Sequence, residues 1–533
     1  MPKVKINDVE VEVPAGTNMI EAAAMVGVEI PHYCYHPNLS IAGNCRMCLV
    51  DIVGGRAPDI ACNMQARDGL AIRTDTPAVK KMRQSVMEFL LVNHPLDCPI
   101  CDQSGECRLQ DYYMEHGDYD SRGIEEKVSK QKRQDIGDKI VLDAERCVEC
   151  SRCVRFGDEV TGTGDLRLMN RGDHTEIGMF PGERLSHHYQ GNLADICPVG
   201  ALTNQDFRFQ RRVWYLRETA SVCGGCATGC NIQVCHQEGE VFRLLPRRND
   251  AVNKSWMCDH GRDQVPEIAG LKRILRSRVD GAVVDVEAAL IALAARLKSA
   301  KRVGVVLGAR ATNEANWGLL QAVRKNLKSA RVFVVDGNDP GSVEYSDTLL
   351  VDADKNPNSA GVALLAAYDG QVETSEALGS AMADLDMLLV LEDDVLGRLG
   401  KAVPALVYFG AFKNKTSEYA DVVIPVCHSV EMDGSFINRQ GRVQRIRRAV
   451  NAAGDSLPGW LLMERLGAKL GSAPGTGMVA AAFNAMAKAV PRMSGMDFKG
   501  LGEAGLLLAA DPFQPQGGMG GTEGGDVRVE TSV

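Results

Sequence analysis

Apolar and polar residues alternate with two different periods near the start of the chain. Residues 4–13 alternate between apolar and polar side chains around Asn7 and Asp8, which predicts a β-hairpin. Residues 18–26 then have the spacing of a short helix, and Gly27 is placed to end it. The chain is therefore expected to open with a small α+β unit.

A longer helical pattern covers residues 78–93 and leads directly to His94. Residues 111–139 are instead polar and highly charged, with few side chains to bury, and they predict a connection between two folded modules. The apolar residues of the predicted helix recur on one side: Val79, Met82, Val86, Phe89 and Leu90.

The pattern changes again after Arg262, where short apolar runs alternate with helical patterns. A helix is predicted over residues 313–327. Such alternation favours a parallel sheet flanked by helices. The Gly- and Pro-rich end, 514–525, predicts a flexible tail. Strands are predicted at 303–307, 332–335, 387–391, 405–409 and 421–426.

Length and composition predict a multidomain globular protein. The 533 residues exceed what one hydrophobic core usually supports, so about two to four domains are expected. A net charge of -9, with no basic stripe, argues against a nucleic-acid partner. The first ten residues do not form a secretory signal, and no apolar run reaches bilayer length. We expect a soluble cytoplasmic chain that meets a membrane only through partner subunits.

The distribution of cysteine is the strongest chemical signal. Of the 17 cysteines, sixteen precede residue 260. Disulfides are disfavoured because a large chain without a secretory signal lies in a reducing compartment. Closely spaced thiols in such a chain indicate metal binding instead.

The first cysteine set has the spacing C-x10-C-x2-C-x13-C and lies in the opening unit, which resembles the start of a plant-type ferredoxin. Soft thiolates hold iron, and four of them suit a [2Fe-2S] cluster. Gly43 would let backbone amides approach the sulphides. The spacing differs from that of plant ferredoxins, and structural zinc is the alternative. The set is Cys34, Cys45, Cys48 and Cys62.

The second set combines one histidine with three cysteines in the spacing H-x3-C-x2-C-x5-C. No fourth cysteine is close by, so we interpret the histidine as a ligand of a [4Fe-4S] cluster. A neutral imidazole in place of a thiolate tends to raise the cluster potential. The set is His94, Cys98, Cys101 and Cys107.

Two further sets follow. One is a C-x2-C-x2-C run completed by a remote Cys-Pro, which is ferredoxin chemistry for one [4Fe-4S] cluster: Cys147, Cys150, Cys153 and Cys197. The other starts C-x2-C-x3-C, for which zinc is again possible, and its last ligand by position is either Cys258 or Cys235; its first three cysteines are Cys223, Cys226 and Cys230. The remaining thiol, Cys427, is expected to be inert.

The order of these four sets resembles the large iron-sulphur subunits of bacterial complex I. The resemblance covers residues 1–262 and, more loosely, the remainder. It implies that Cys258 completes the fourth set, which only some members of that family have and which is off the main electron path there. It also implies cofactors of one [2Fe-2S] and three [4Fe-4S] clusters.

The second half resembles molybdopterin oxidoreductases in two segments, GARATNEAN at 308–316 and the stretch 420–444. Active molybdenum enzymes usually place cysteine, selenocysteine or serine on the metal, and no cysteine occurs between Cys258 and Cys427. The early end at Val533 also leaves little room for a C-terminal pterin-binding domain. We therefore expect a scaffold without molybdopterin, while a serine or aspartate ligand stays open.

The resemblance predicts a multidomain α+β and α/β protein with six parts. They are a [2Fe-2S] ferredoxin-like domain, a one-histidine module, a [4Fe-4S] ferredoxin-like module, a fourth-cluster module of the Mo/W bis-MGD type, a molybdopterin-oxidoreductase-like α/β domain and a tail, at 1–77, 78–118, 119–215, 216–272, 273–512 and 513–533.

The function that the resemblance implies is electron relay within an NADH-quinone oxidoreductase, a translocase on the cytoplasmic face of the inner membrane. The chain has no G-x-G-x-x-G after a predicted strand, so NADH oxidation is expected on a flavin-containing partner subunit, with quinone-side iron-sulphur subunits as further partners. No independent substrate site is expected here. The alternatives are a formate dehydrogenase-like molybdenum enzyme, a hydrogenase or diaphorase subunit, and a zinc-stabilised interaction protein.

Overall fold

The computed structural model describes residues 1–400 and 403–510. The first module is a five-stranded sheet in the order β2-β1-β5-β3-β4. The Asn18 side chain caps its helix by accepting from two backbone amides, and Gly27 follows the helix with a φ of +75°. The predicted hairpin and helix are confirmed. The elements are β1 (Lys3–Ile6), β2 (Val9–Glu12), α1 (Met19–Met25), β3 (Leu49–Ile52), β4 (Asp59–Ile60) and β5 (Ala71–Arg73).

The second module consists of α2 (Pro77–Val92) and α3 (Arg108–His116), joined by the loop that carries the second ligand set. Thr76 caps α2 and proline is its first residue, which explains where the helix begins. Phe89 is 79% exposed, although the pattern placed it on the buried side. It lies about 80° around the helix from Val79, at the border of the apolar face.

The third module is built from short elements. Three strands pair in the order β10-β7-β6, and β8 and β9 form a separate hairpin. The predicted connection at 111–139 is wrong at its start, where residues 111–116 complete α3. The elements are β6 (Gln134–Asp135), β7 (Ile140–Leu142), α4 (Arg152–Phe156), β8 (Arg167–Met169), β9 (Glu176–Gly178), α5 (Gly191–Ile196) and β10 (Leu202–Asn204).

The fourth module is a three-stranded antiparallel sheet followed by two short helices. Its first ligand, Cys223, directly follows the first strand, and Cys230 directly precedes the second. The elements are β11 (Arg217–Val222), β12 (Asn231–Gln237), β13 (Glu240–Pro246), α6 (Asp259–Arg262) and α7 (Gln264–Ile268).

An eight-stranded sheet forms the α/β domain, in the order β15-β14-β21-β20-β19-β16-β17-β18. The six strands from β21 to β18 are parallel, as predicted, but β14 and β15 add an antiparallel edge. All five predicted strands are present. The elements are β14 (Ser277–Val279), β15 (Ala282–Val284), α8 (Val286–Ser299), β16 (Val303–Leu307), α9 (Asn313–Asn326), β17 (Arg331–Val334), α10 (Ser359–Asp369), β18 (Val372–Glu373), α11 (Ser375–Ala381), β19 (Met387–Leu391), α12 (Val395–Leu399), β20 (Leu406–Gly410), α13 (Lys415–Tyr419) and β21 (Val422–Pro425).

The last described part covers one face of this sheet with helices that pack on α9. The predicted tail lies outside the described residues. Over the ranges given above, no helix has the length and apolar content needed to cross a bilayer. The elements are β22 (Gly434–Ile437), β23 (Arg442–Ile446), α14 (Gly459–Leu470), α15 (Val479–Ala489) and β24 (Leu506–Leu507).

Candidate iron-sulphur sites

The first set comes together between β3 and the sheet edge of the first module. The sulphur of Cys34 lies within hydrogen-bonding reach of Cys45 and Cys62, and Cys48 lies within reach of Cys62. Contact with Cys45 lowers the pKa of Cys34, whereas contact with Cys34 raises that of Cys62. Four thiols this close repel one another once ionised, so a cation or cluster is needed to stabilise the thiolates.

The second set lies on the loop between α2 and α3. The Nδ1 atom of His94 is buried and has no hydrogen-bond partner in the described part of the chain. Burial lowers the pKa of His94 to about 4, so the ring is neutral at pH 7, which is the form that binds metals. Cys101 and Cys107 are buried, whereas Cys98 is exposed. A neutral ring with an unpaired buried nitrogen, four residues before the first of three thiols, fits a metal ligand.

The third set surrounds a cavity. Its volume is about 20 Å³, and all four predicted cysteines line it together with Pro198: Cys147, Cys150, Cys153 and Cys197. Burial raises the pKa of Cys197 to about 12, so the thiol form persists at neutral pH without a metal. The remote cysteine lies 44 positions after Cys153 by residue number, and it nevertheless lines the same cavity as the run of three thiols.

The fourth set is the most deeply enclosed. Its four cysteines influence one another electrostatically: after burial, charges on Cys223 and Cys258 do most to raise the pKa of Cys230. The backbone amide of Gly261 donates to the Cys258 sulphur over 3.3 Å, and the Gln264 side chain donates to Cys223 over 3.3 Å. Donors of this kind stabilise thiolates and tune clusters.

The competing ligand Cys235 has a different environment. It lies within β12, and burial raises the pKa of its thiol to about 11 while Arg243 opposes the rise. It is not among the charges that act on Cys223, Cys230 or Cys258. The structure therefore groups Cys258, and not Cys235, with the other three cysteines.

These arrangements differ from a site for one ion. Among residues 1–400 and 403–510, no three His, Cys, Asp or Glu side chains converge so as to hold a single metal ion. Ligands of an iron-sulphur cluster instead surround a body several atoms across, so their sulphurs need not meet at one point.

The third set lies between the first and the second. The Arg155 guanidinium donates to the carbonyl of Cys34 over 2.5 Å and to that of Cys150 over 3.3 Å. A Cβ atom on Gly200 would lie 2.2 Å from the sulphur of Cys101, so the Cys-Pro loop of the third set rests against the second. The third set therefore touches both of the others.

The fourth set reaches the others through aromatic rings. Trp256 stacks on His36 with ring centroids 4.9 Å apart, and Phe156 meets it edge-on at 5.0 Å. His36 and Trp256 are each two residues from a cysteine of their set, and Phe156 is three residues after Cys153. The aromatic rings thus pack the fourth module against the first and third.

Sequence reasoning missed the arginines that surround the sets. Arg146 and Arg155 flank the C-x2-C-x2-C run, Arg152 lies within it, and each is at least half-buried. Arg152 donates to the carbonyl of Ile196 over 3.0 Å, beside the remote cysteine of the third set. Their position immediately around the cysteine run was the signal that could have identified them.

Known families match the chain in the same order as the four sets. The matching models are described as a 2Fe-2S iron-sulfur cluster binding domain, an NADH-ubiquinone oxidoreductase-G iron-sulfur binding region, an NADH-quinone oxidoreductase subunit 3 ferredoxin-like domain, an NDSU1/NuoG-like 4Fe-4S domain and a molybdopterin oxidoreductase, at 2–77, 83–122, 137–203, 216–265 and 291–469. The chain is a homologue of the large iron-sulphur subunit of NADH-quinone oxidoreductases.

Curated relatives align with the first half of the chain and with part of the second. The G subunit of the NADH-quinone oxidoreductase of Rickettsia felis is 39% identical over 341 residues, 62% of this chain and 51% of that protein. The mitochondrial NADH dehydrogenase [ubiquinone] iron-sulfur protein 1 of Solanum tuberosum is 45% identical over 260 residues, 49% of this chain and 35% of that protein. The chain thus aligns with about half the length of these relatives, or less.

A solved structure also resembles the chain. It is an NAD+-reducing [NiFe]-hydrogenase in the H2-reduced state, 25% identical, covering 40% of this chain and 91% of that one. Its TM-score is 0.36.

Proposed function

We propose that the chain is an electron-relay subunit of a respiratory NADH-quinone oxidoreductase. Electrons would enter from a flavin-containing, NADH-binding subunit and leave toward quinone through one [2Fe-2S] and three [4Fe-4S] clusters. The observation that carries the proposal is the contact between the ligand sets, because a relay requires short separations in a dry interior.

The ligands of the four clusters would be the four sets described above. Bound clusters supply one-electron chemistry, and the protein contributes spacing, potential and exposure. Gly200 keeps the second and third sets in contact because it has no side chain. Arg155 donates hydrogen bonds to the carbonyls of Cys34 and Cys150 and so holds the first set against the third.

These contacts support an order in which the third set lies between the first and the second. Cys98 is the most exposed ligand, which favours the second set as the point where electrons pass to a partner. The fourth set joins the group through Trp256 and supports a side branch of the relay.

We propose that the α/β domain holds no molybdopterin. Ligands of open α/β sheets bind where the strand order reverses, which here is between β16 and β19. A Cβ on Gly308 would lie 1.9 Å from the Leu391 carbonyl oxygen, so the strands stay in contact there. Cys427 does not offer a metal ligand either, since it is buried 3.8 Å from the Ser456 hydroxyl.

The complex would lie at the membrane through other subunits. We propose that the chain is peripheral on the cytoplasmic face of the inner membrane and has no substrate site of its own. The relatives' names support membership of a complex of several subunits, because they name parts of NADH-quinone oxidoreductases and NADH dehydrogenases.

The test is metal and sulphide analysis of the anaerobically purified full chain, with low-temperature EPR after reduction. We expect about 14 irons per chain, with neither zinc nor molybdenum in stoichiometric amount. Stoichiometric molybdenum would establish the formate dehydrogenase-like alternative, and zinc in place of iron would end the relay proposal.

Two cysteine variants sharpen the test. Cys258→Ser should remove about four irons and one EPR signal, since it breaks one cubane. Cys235→Ser, at a buried thiol in the same module, should keep the full iron content. Equal iron loss in both variants would contradict the ligand assignment.

A further inference from the structure

Arg146 lies between the second and third ligand sets. It directly precedes Cys147, and its side chain is only 4% exposed. Its Nη2 atom donates to Asp97 over 2.8 Å, and its Nε atom lies 3.3 Å from Asp143. Asp97 itself directly precedes Cys98, so the guanidinium connects the two cysteine loops.

The remaining nitrogen of this guanidinium has no partner. Nη1 of Arg146 is buried and makes no hydrogen bond within the part of the chain that the structure describes. An unpaired buried donor on a charged group is costly, and proteins normally satisfy it. Something other than the described side chains and backbone is therefore expected to accept from it.

The second set is the nearest source of such an acceptor. The Cδ atom of Arg146 and the sulphur of Cys101 both lie within 3.7 Å of the position that a Cβ on Gly200 would occupy. The guanidinium thus borders the second set on the side that faces the third.

Arg146 is not required merely to neutralise Asp97. Lys132 also pairs with Asp97, at 2.6 Å, and with Glu145 at 2.8 Å. The carboxylate therefore keeps a cation even without the arginine. Among the described residues, the ion pair with Asp143 is then the one that depends on Arg146 alone.

We infer that Arg146 tunes the second cluster directly, donating a hydrogen bond from Nη1 to one of its sulphurs and raising its reduction potential. The inference rests on the proposed function, since it requires a cluster at that set. A donor and a fixed positive charge stabilise the more negative, reduced state. Electrons arriving from the third set would then be drawn to the second.

The experiment is a redox titration of the full chain followed by EPR, with the second cluster identified by the signal that Cys107→Ser abolishes. Arg146→Gln removes the charge and the Nη1 donor. At a fixed potential it should lower the reduced-to-oxidised ratio of the second cluster about tenfold, the size of one lost charge-assisted bond. For a one-electron couple this is about 59 mV.

Arg146→Lys keeps the charge without the planar donor pair, so its potential should lie between those of wild type and Arg146→Gln. Arg398→Gln is the matched control. Arg398 is also buried and binds two aspartates, Asp339 and Asp393, but it lies in α12 of the α/β domain. The control should leave every cluster potential unchanged.

The outcomes separate the two proposals. A wild-type chain without iron defeats the proposed function. A chain with full iron and an unchanged second-cluster potential in both Arg146 variants defeats the inference alone. If Arg146→Gln loses iron, Arg146→Lys decides: a lowered potential supports the inference, and a wild-type potential overturns it.

Discussion

The cluster-bearing half and the α/β domain are stabilised in different ways. In the α/β domain, long helices cover a sheet whose central strands β16, β19 and β20 are buried at every position. In residues 1–262, cysteines belong to the hydrophobic clusters themselves. The α/β domain has two apolar clusters built mainly from aliphatic residues, and the other half has clusters that include the thiols.

Because their cores differ in composition, the two halves gain their folding energy from different sources. A core of buried aliphatic residues folds on the strength of apolar burial alone. A core whose centre is a group of thiols gains its stability when the thiols bind metal, because binding and folding are then one event. The two halves should therefore respond differently to metal loss.

Iron removal should produce the largest difference between the halves. After anaerobic chelation with mild oxidation, we expect residues 1–262 to lose protection while strands β16 to β21 keep it. The reason is that four sets of buried thiols lose the charge that stabilises them as thiolates. Hydrogen exchange with mass spectrometry measures both halves in one sample.

The control is the same treatment without chelator. Joint unfolding of both halves would show that the α/β domain depends on the clusters. Full protection throughout would show that the thiol sets are stable without metal, and that the two halves do not differ in their need for it.

Adding a single methyl group should also have different effects in the two halves. Gly200→Ala places a Cβ 2.2 Å from the Cys101 sulphur, so the two loops must move apart. Overpacking typically costs about 1–3 kcal/mol, and here it also displaces a ligand. We expect the EPR signal of the second cluster to broaden or disappear while the first remains.

Gly467→Ala is the matched change in the α/β domain. A Cβ there would lie 3.5 Å from that of Ala322, an ordinary van der Waals distance, and the residue is inside helix α14, where alanine is favoured. It should leave every cluster signal intact and slightly stabilise the domain. An unchanged second-cluster signal in Gly200→Ala would mean that the loops have room to move.

The two halves also differed in what their sequence could predict. The five sheet strands were predictable because buried parallel strands are continuous apolar runs, as at Val303–Leu307. The ligand sets were recognisable as candidates because thiol spacing is local. Their assignment to clusters nevertheless remains a prediction.

Contacts across the chain could not be predicted in this way. The edge strands β14 and β15 are three residues long and join β21 from more than a hundred residues away, so no local pattern marks them. The exposure of Phe89 depends on which neighbours helix α2 meets. Similarly, nothing local shows that Gly200 touches Cys101 or that Arg146 borders the second set.

The last difference between the halves concerns a buried carboxyl group in the α/β domain. Glu314, near the start of α9, is fully buried and accepts from the Ser435 backbone amide over 2.9 Å and from its hydroxyl over 2.6 Å. Burial raises its pKa to about 7, against 4.5 for an ordinary glutamate, although the bonds from Ser435 oppose the rise. The folded domain therefore holds a proton that the unfolded chain releases.

The raised pKa determines the direction in which stability changes with pH. Between about pH 4.5 and 7 the native state binds more protons than the unfolded state, so the free energy of unfolding falls as pH rises. The contribution is on the order of 3 kcal/mol across this window. Glu314→Gln removes it, and the variant should lose less stability than wild type between pH 5 and pH 7.

The measurement is urea unfolding of holoprotein at pH 5, 6 and 7, with the α/β domain followed by hydrogen exchange of strands β16 to β21. Other buried groups titrate equally in both proteins, so the difference between the two pH slopes reports Glu314. Glu376→Gln, at an exposed position on α11, should keep the wild-type slope. Parallel slopes for Glu314→Gln and wild type would mean that the carboxyl is ionised in the fold, with Ser435 outweighing burial. Iron content should stay constant in all three proteins, because the site lies in the half whose core needs no metal.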